Sequence, residues 1–517
     1  MLADQPVGCD LVEWKADVAS LRSGVIMSLT TYINSNQGRS LAGLRSWWLN
    51  IDKDENVISW AQTTVGQLAL HCAFFLLLIN PLMRGKQILL FIVTILLCGL
   101  FPNRRLQMLF LMGGLFFILR PFQIETAYEH FELIWTATAG QLHMQVGLTA
   151  VALIFLTGLM LFMRGQRQRR LGELGNRPIV FLFCVLTVLT ACSLLAPAGG
   201  VLSNLSWLLL APLASTFFMV SYIFLGNRRK EPISVDQAAG FTRPVFSIGL
   251  VPLKEPSFLR KFEAKTAEDL AVTRLKALKL IVWATILFWF WELFLNNGLF
   301  IALGFPGLTQ LILDASTGTG PSTAMRWLFL VVHFVAEIIL FAAEVHIYVA
   351  MVRMAGFCIP RSLVSPLSSK SLSEYWGRYF FYFKEMLADI FFFPTFQRYF
   401  RKSVRIRIAF ATIAAAFFGN IMFDLIPRLP EMASHGWYSV FEDFYSYTIY
   451  ACILTVGLIV SQIRKKETVP EDGWFFHQVW PRIQVLGFFM ILEVFDDSVG
   501  AAPVEDRIRY FFSLFGI

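Results

Sequence analysis

The sequence predicts an all-α, polytopic membrane protein with about eleven transmembrane helices. Three observations carry this expectation. Hydrophobic residues make up 56% of the 517-residue chain and charged residues only 15%, whereas about a quarter of a soluble domain is charged. Mean hydropathy is +0.59. The apolar residues fall in runs near the roughly 20 residues that a bilayer crossing needs, separated by basic or Gly/Pro-containing connections. A soluble core is excluded. The formal charge of +8 reads as basic loops at helix ends rather than as a nucleic-acid footprint.

Taken in order, residues 1–59 carry Trp14, Trp47, Trp48 and balanced charges, which predicts a small cytoplasmic or interfacial segment. Asp4, Asp10, Glu13, Lys15 and Asp17 leave no apolar stretch for a cleavable signal peptide. An N-terminal accessory bundle is expected over 60–225, with spans near 60–83, 87–101, 106–119, 143–163, 178–196 and 202–225. A hydrophilic, cytoplasmic connection follows at 226–276. It reads as a tether, or as a loop whose apolar patch at 244–256 dips into the bilayer. Further spans are expected near 277–297, 326–352, 405–426, 438–462 and 482–495. A short or re-entrant element at 299–315 is broken by Gly304, Pro306 and Gly307, and residues 463–517 form a last helix and an amphipathic tail. No repeat is visible.

The basic clusters orient the chain. Arg104-Arg105, Arg164 to Arg170 and Arg228-Arg229-Lys230 fall on one side if the N-terminus is cytoplasmic, with Glu125, Glu129 and Glu132 on the other. Arg84 and Lys86 run against the scheme. The seven cysteines form no CxxC pair, which predicts neither disulfides nor a metal site.

The span at 326–352 is the most heavily loaded with titratable groups. His333, Glu337 and Glu344 are spaced by four and eleven residues, which at roughly 100° per residue puts them within about 40° on one helix face. A charge at a helix centre costs about 2.5–3.5 kcal/mol on insertion scales, so this face should look into protein or a wet tunnel. A proton path, an acceptor-binding wall and a neutral hydrogen-bonded network all fit it. A metal site is poorly supported, because His and Glu at i and i+4 lack two further ligands.

Residues 354–394 are too polar to span lipid yet lie between spans. They carry Arg361, Lys370, Glu374, Arg378, Lys384, Glu385 and Asp389 among many aromatic side chains. Such a stretch is either an interfacial loop or a functional site held at membrane depth. Arg353-Met354-Ala355-Gly356-Phe357, Ile359-Pro360, Ser365-Pro366-Leu367, Ser369-Lys370-Ser371-Leu372, Glu374-Tyr375-Trp376, Arg378, Leu387, Asp389 and Pro394 stand in one order and spacing. In these about forty residues the chain resembles the membrane-bound O-acyltransferases, in particular the branch of alginate O-acetyltransferase and the D-alanyl transferase of teichoic acids.

The resemblance implies a family core over 277–462. It also implies a cytoplasmic acyl thioester as donor, such as acyl-CoA or an acyl-carrier protein, with no other cofactor. The acceptor would be a hydroxyl on an extracytoplasmic glycan or lipid, and an extracytoplasmic acyltransferase partner is a further expectation. The setting would be a bacterial inner or plasma membrane. Trp376, Arg378, Tyr379, Lys384 and Asp389, with His333, Glu337 and Glu344, would line the substrate path. Nucleic acid is not an expected partner.

Two departures matter. The histidine of the family's FWRRWH block falls on Phe380, and Gly377 replaces the first of its paired arginines. The family's general base is a downstream histidine, which suits a weak hydroxyl nucleophile because an imidazole near pKa 6.5 accepts a proton at neutral pH. Counting about forty-four residues on from Trp376 reaches Asn420, and an amide accepts no proton. Three explanations stay open. His435 substitutes; the face of His333, Glu337 and Glu344 activates the acceptor; or the fold persists as a binding or scaffolding subunit without catalysis. A transporter would also use intramembrane Glu and His, but should show paired broken helices in two symmetric halves, and none is visible.

Overall fold

A computed structural model describes residues 41–79, 86–139, 143–227, 234–246, 254, 256–318, 320–464 and 473–517. Most of the N-terminal segment, Arg228-Arg229-Lys230, Lys465-Lys466-Glu467 and the middle of the apolar patch at 244–256 lie outside the described residues. Among the described residues every regular element is helical, and the only extended pairing is an isolated bridge between Glu263 and Phe357.

Eight described helices are long and apolar enough to cross a membrane: Met144–Arg167, Pro178–Leu195, Val201–Asn227, Ala267–Ala302, Thr323–Met354, Val404–Glu431, Tyr445–Ile463 and Phe475–Phe495. Two bent pairs raise the number to as many as ten if each pair is one span. The protein is therefore a multi-pass membrane protein. The expected count of about eleven shrinks in one place: 87–101 and 106–119 are two arms of one pair, Gln87–Leu100 and Pro102–Leu119, bent by 111°. Pro102 has no N–H to continue the first helix and is well placed to start the next.

The chain divides into two compact units: residues up to 109 with 258–290 and 340–361, and residues 110–257 with 291–339 and 362–517. In the first unit Asp54 caps Glu55–Gln62 by accepting from the backbone N–H groups of Asn56 and Val57. Thr63 caps Thr64–Leu78, and the corner between these helices is 94°. A Cβ on Gly66 would lie 2.1 Å from the Trp60 carbonyl oxygen, so this corner requires glycine. The Arg353–Phe357 run is a helix stop. Gly356 takes φ +104°, and Phe357 donates back to the Val352 carbonyl at 3.2 Å. Arg353 donates through Nε and Nη2 to the Ile359 carbonyl at 3.0 and 2.7 Å.

In the second unit Val201–Asn227 is the most enclosed of the described spans, and it packs on Pro178–Leu195 and Met144–Arg167. Its Trp207 donates to the Pro430 carbonyl at 3.0 Å. The element anticipated at 299–315 consists of the end of the π-helix Trp291–Ala302 and the helix Leu308–Thr317, with Gly304 at φ +65° between them. The tail helix Val504–Ser513 is anchored by a buried Arg507–Asp497 ion pair, and Arg507 also donates to the Val494 carbonyl at 2.7 Å. A buried pair survives desolvation only when its remaining hydrogen-bonding capacity is filled, as it is here by the backbone.

Candidate functional site

The 362–398 stretch folds as short helices: Leu372–Tyr379, Phe381–Leu387, the π-helix Ala388–Phe392, and Phe393–Arg398. The first starts from a Ser-x-x-Glu signature. Ser371 accepts from the Glu374 N–H at 3.2 Å, and Glu374 reaches back to the Lys370 N–H at 2.8 Å. One helical turn on, Arg378 pairs with Glu374 at 2.6 Å and donates to Ser368 Oγ at 2.6 Å. Arg378 thus ties the preceding loop to the helix and does not line the chamber beside it.

The opposite side of this helix does. Tyr375, Trp376 and Tyr379 form one wall of a chamber of about 590 Å³, whose other walls carry His333 and Glu337 from Thr323–Met354, Tyr450 from Tyr445–Ile463, and Glu493, Asp496, Asp497 and Arg507. Tyr375 stacks between Tyr379 and Phe489, with centroids 5.4 and 3.9 Å away. Burial, followed by Glu493, pushes its hydroxyl above the ordinary tyrosine range, so it stays a proton donor at neutral pH. His333 Nε2 is 2.9 Å from the Pro306 carbonyl oxygen, and its ring stacks on Phe300. That carbonyl can only accept, so Nε2 carries the proton and Nδ1 keeps a lone pair. Glu337 and Asp496 present accessible surface although protein surrounds them. Both observations hold together because the surface they expose is chamber wall. Burial, then Asp424 and Glu337, push Asp496 up to about 7.

Of the expected path residues, Trp376, Tyr379, His333 and Glu337 meet in this chamber. Glu344, three turns along the same helix from His333, is half-buried in the other unit. Lys384 and Asp389 belong to a separate charge cluster. Lys254 bonds Glu385 at 2.7 Å and Asp389 at 3.2 Å, Lys384 pairs with Glu385 at 2.7 Å, and the Tyr222 hydroxyl donates to Asp389 at 3.4 Å. Burial alone would lower Lys254 and raise Glu385. Their mutual attraction outweighs it, holding the ammonium above and the carboxyl below their ordinary values.

Asn420 follows the π-helix Ile413–Gly419 and is buried at 1% exposure. Its Oδ1 lies 3.2 Å from the Tyr447 hydroxyl, while its Nδ2 has no partner among the described residues. Tyr447 also bonds Asp424. A tyrosine has one proton to give, so Asn420 Oδ1 and the Asp424 carboxyl compete for it. His435 is exposed at the end of Met432–His435, within electrostatic reach of His130, and does not line the chamber.

A larger groove of about 1070 Å³ between other spans is mostly apolar, and among the described residues His130 is its only titratable lining residue. Its chemistry is poorer than that of the smaller chamber. Among the described residues no three His, Cys, Asp or Glu side chains converge as a metal ion would require.

The sequence reading missed Tyr450, Glu493, Asp496, Asp497 and Arg507. One signal pointed to them: Glu493 closes an apolar run that is long enough to span, and an ionisable side chain in that position calls for a partner. No protein-family model matches the chain, and no curated protein does.

Proposed function

We propose that the protein is a membrane-bound O-acyltransferase-like enzyme that moves an acyl group from a thioester to a hydroxyl acceptor in the chamber between Leu372–Tyr379 and Thr323–Met354. The observation that carries this reading is the meeting of Tyr375, Trp376 and Tyr379, from the stretch that resembles the family, with His333 and Glu337. A hydroxyl needs a base, and this chamber supplies one where Asn420 does not. Glu337 takes the acceptor proton and the freed oxygen attacks the thioester carbonyl. The carbon–sulfur bond then breaks, and the thiolate leaves with a proton returned from Glu337. His333, held by Pro306 and Phe300, positions that wall. The donor enters from the cytoplasm and the acceptor from the opposite face of a bacterial plasma membrane, with the N-terminus cytoplasmic.

The test is purified, reconstituted protein supplied with acetyl-CoA and a hydroxyl acceptor. Glu337→Gln should lower turnover by about 10²–10⁴-fold, the range for a lost general base. Turnover unchanged by Glu337→Gln refutes this assignment.

A second reading has its own observation. Asn420 stands where the family has its histidine and has its Oδ1 against Tyr447, so the position offers no proton acceptor. In a catalytically degenerate scaffold, neither the native chain nor any chamber variant would hydrolyse or transfer from a thioester.

A further inference from the structure

We propose that the turn at 398–407, which heads the span Val404–Glu431, is a docking surface for the phosphate headgroups of anionic membrane lipids. The inference names a partner and stands apart from acyl transfer.

Charge is the first argument. Arg398, Arg401, Lys402, Arg405 and Arg407 lie close together in the chain, and no Asp or Glu occurs between Asp389 and Asp424. All but Arg407 are exposed, and Arg407 lies over the Phe396 ring, 4.1 Å from its centroid. Among the described residues none of these cations forms an ion pair with a carboxylate, in contrast to Lys254, Arg378 and Arg428 elsewhere in the same unit. The helix Tyr445–Ile463 ends beside them: Thr412 bonds Gln462 at 2.8 Å, and the exposed Arg464 follows. Crowded like charges repel one another, and a bound anion offsets that repulsion.

The second argument is the shape of the turn and its place in the fold. Phe400 takes φ +51°, a left-handed conformation that bulky residues rarely adopt. The turn sets Tyr399 and Phe400 edge-on to Phe410 of the span, with centroids 5.5 and 5.0 Å away, yet both residues stay half-exposed at 53 and 49%. Water does not stabilise an exposed ring, whereas the bilayer interface is where aromatic side chains settle. Val404 and Ile406, in the first turn of the span, are exposed as well. Apolar side chains thus alternate with Arg405 and Arg407 where the helix enters the membrane, which puts the cations at headgroup depth. A lipid phosphate matches this pattern better than an acidic protein does, because the rings and aliphatic side chains between the cations call for an apolar phase beside the charge.

The test is native mass spectrometry of the full-length chain in detergent, without any thioester, titrated with dioleoylphosphatidylglycerol and, separately, with dioleoylphosphatidylcholine. The first phosphatidylglycerol should bind at least about fivefold tighter than the first phosphatidylcholine, the effect of a single cation near an anionic surface. Arg401→Gln with Lys402→Gln should remove most of that preference. Arg164→Gln with Arg170→Gln, which takes the same charge from another exposed basic run, should keep it. Equal affinity for the two lipids overturns the proposal, as does an undiminished preference in the Arg401/Lys402 variant or an equal loss in the Arg164/Arg170 variant. The comparison of the two lipids on the native chain needs no substitution and holds even if a variant misfolds. Retention of an acidic carrier protein by the native chain but not by the Arg401/Lys402 variant, with no lipid preference, would assign the surface to a protein partner instead and reject the lipid site.

Discussion

Gly419 lies so close to Phe391 that a Cβ on it would fall 2.7 Å from the ring, and 3.0 Å from Leu387. Two π-helices meet there, Ala388–Phe392 and Ile413–Gly419. The missing side chain lets the aromatic stretch press directly on the helix that carries Asn420. Gly419→Ala should overpack this contact and cost about 1–3 kcal/mol. The check is thermal unfolding in detergent, and an unchanged midpoint would show that the contact yields freely.

Asn420 should matter to stability more than to turnover, because it is hydrogen-bonded within the protein and does not line the chamber. Asn420→Ala should lower stability by about 1–3 kcal/mol, since Tyr447 loses a buried partner, while turnover changes less than tenfold. Asn420→His should not raise turnover. A large gain with the imidazole would return the catalytic base to this position and remove it from Glu337.

The Lys254–Glu385–Asp389 cluster should make stability depend on pH at the acid end. Glu385 is held below its ordinary value, so its contribution is complete above about pH 4.3 and is lost as pH falls through the lower folded value. Lys254 is held above its ordinary value, so its contribution is complete below about pH 10.4 and is lost as pH rises through the folded value. Melting temperatures measured from pH 3 to 6 should fall on acidification, with a shallower slope in Lys254→Met. Identical slopes would disconnect the pair from acid stability.

The orientation scheme predicts that a reporter fused after Arg170 reads out in the cytoplasm, as the basic run Arg164 to Arg170 requires. Activity of that fusion only outside the cytoplasm would invert the arrangement.

By itself the sequence determined the solvent of this protein. Long apolar runs broken by charged connections leave no arrangement except helices in lipid, because a spanning backbone must satisfy its own hydrogen bonds. It also marked the break at Gly304, Pro306 and Gly307 and the shared face of His333 and Glu337. Local pattern went less far at Phe101, where proline turned two apparent spans into arms of one bent pair. It could not tell Arg378, tied to Glu374 and Ser368, from Trp376 two residues earlier on the chamber wall. Nor did it connect Glu493, Asp496 and Arg507 to residues more than a hundred positions away. Those assignments are decided by tertiary packing, because burial and charge pairing depend on which helices become neighbours, and no spacing within one segment carries that information.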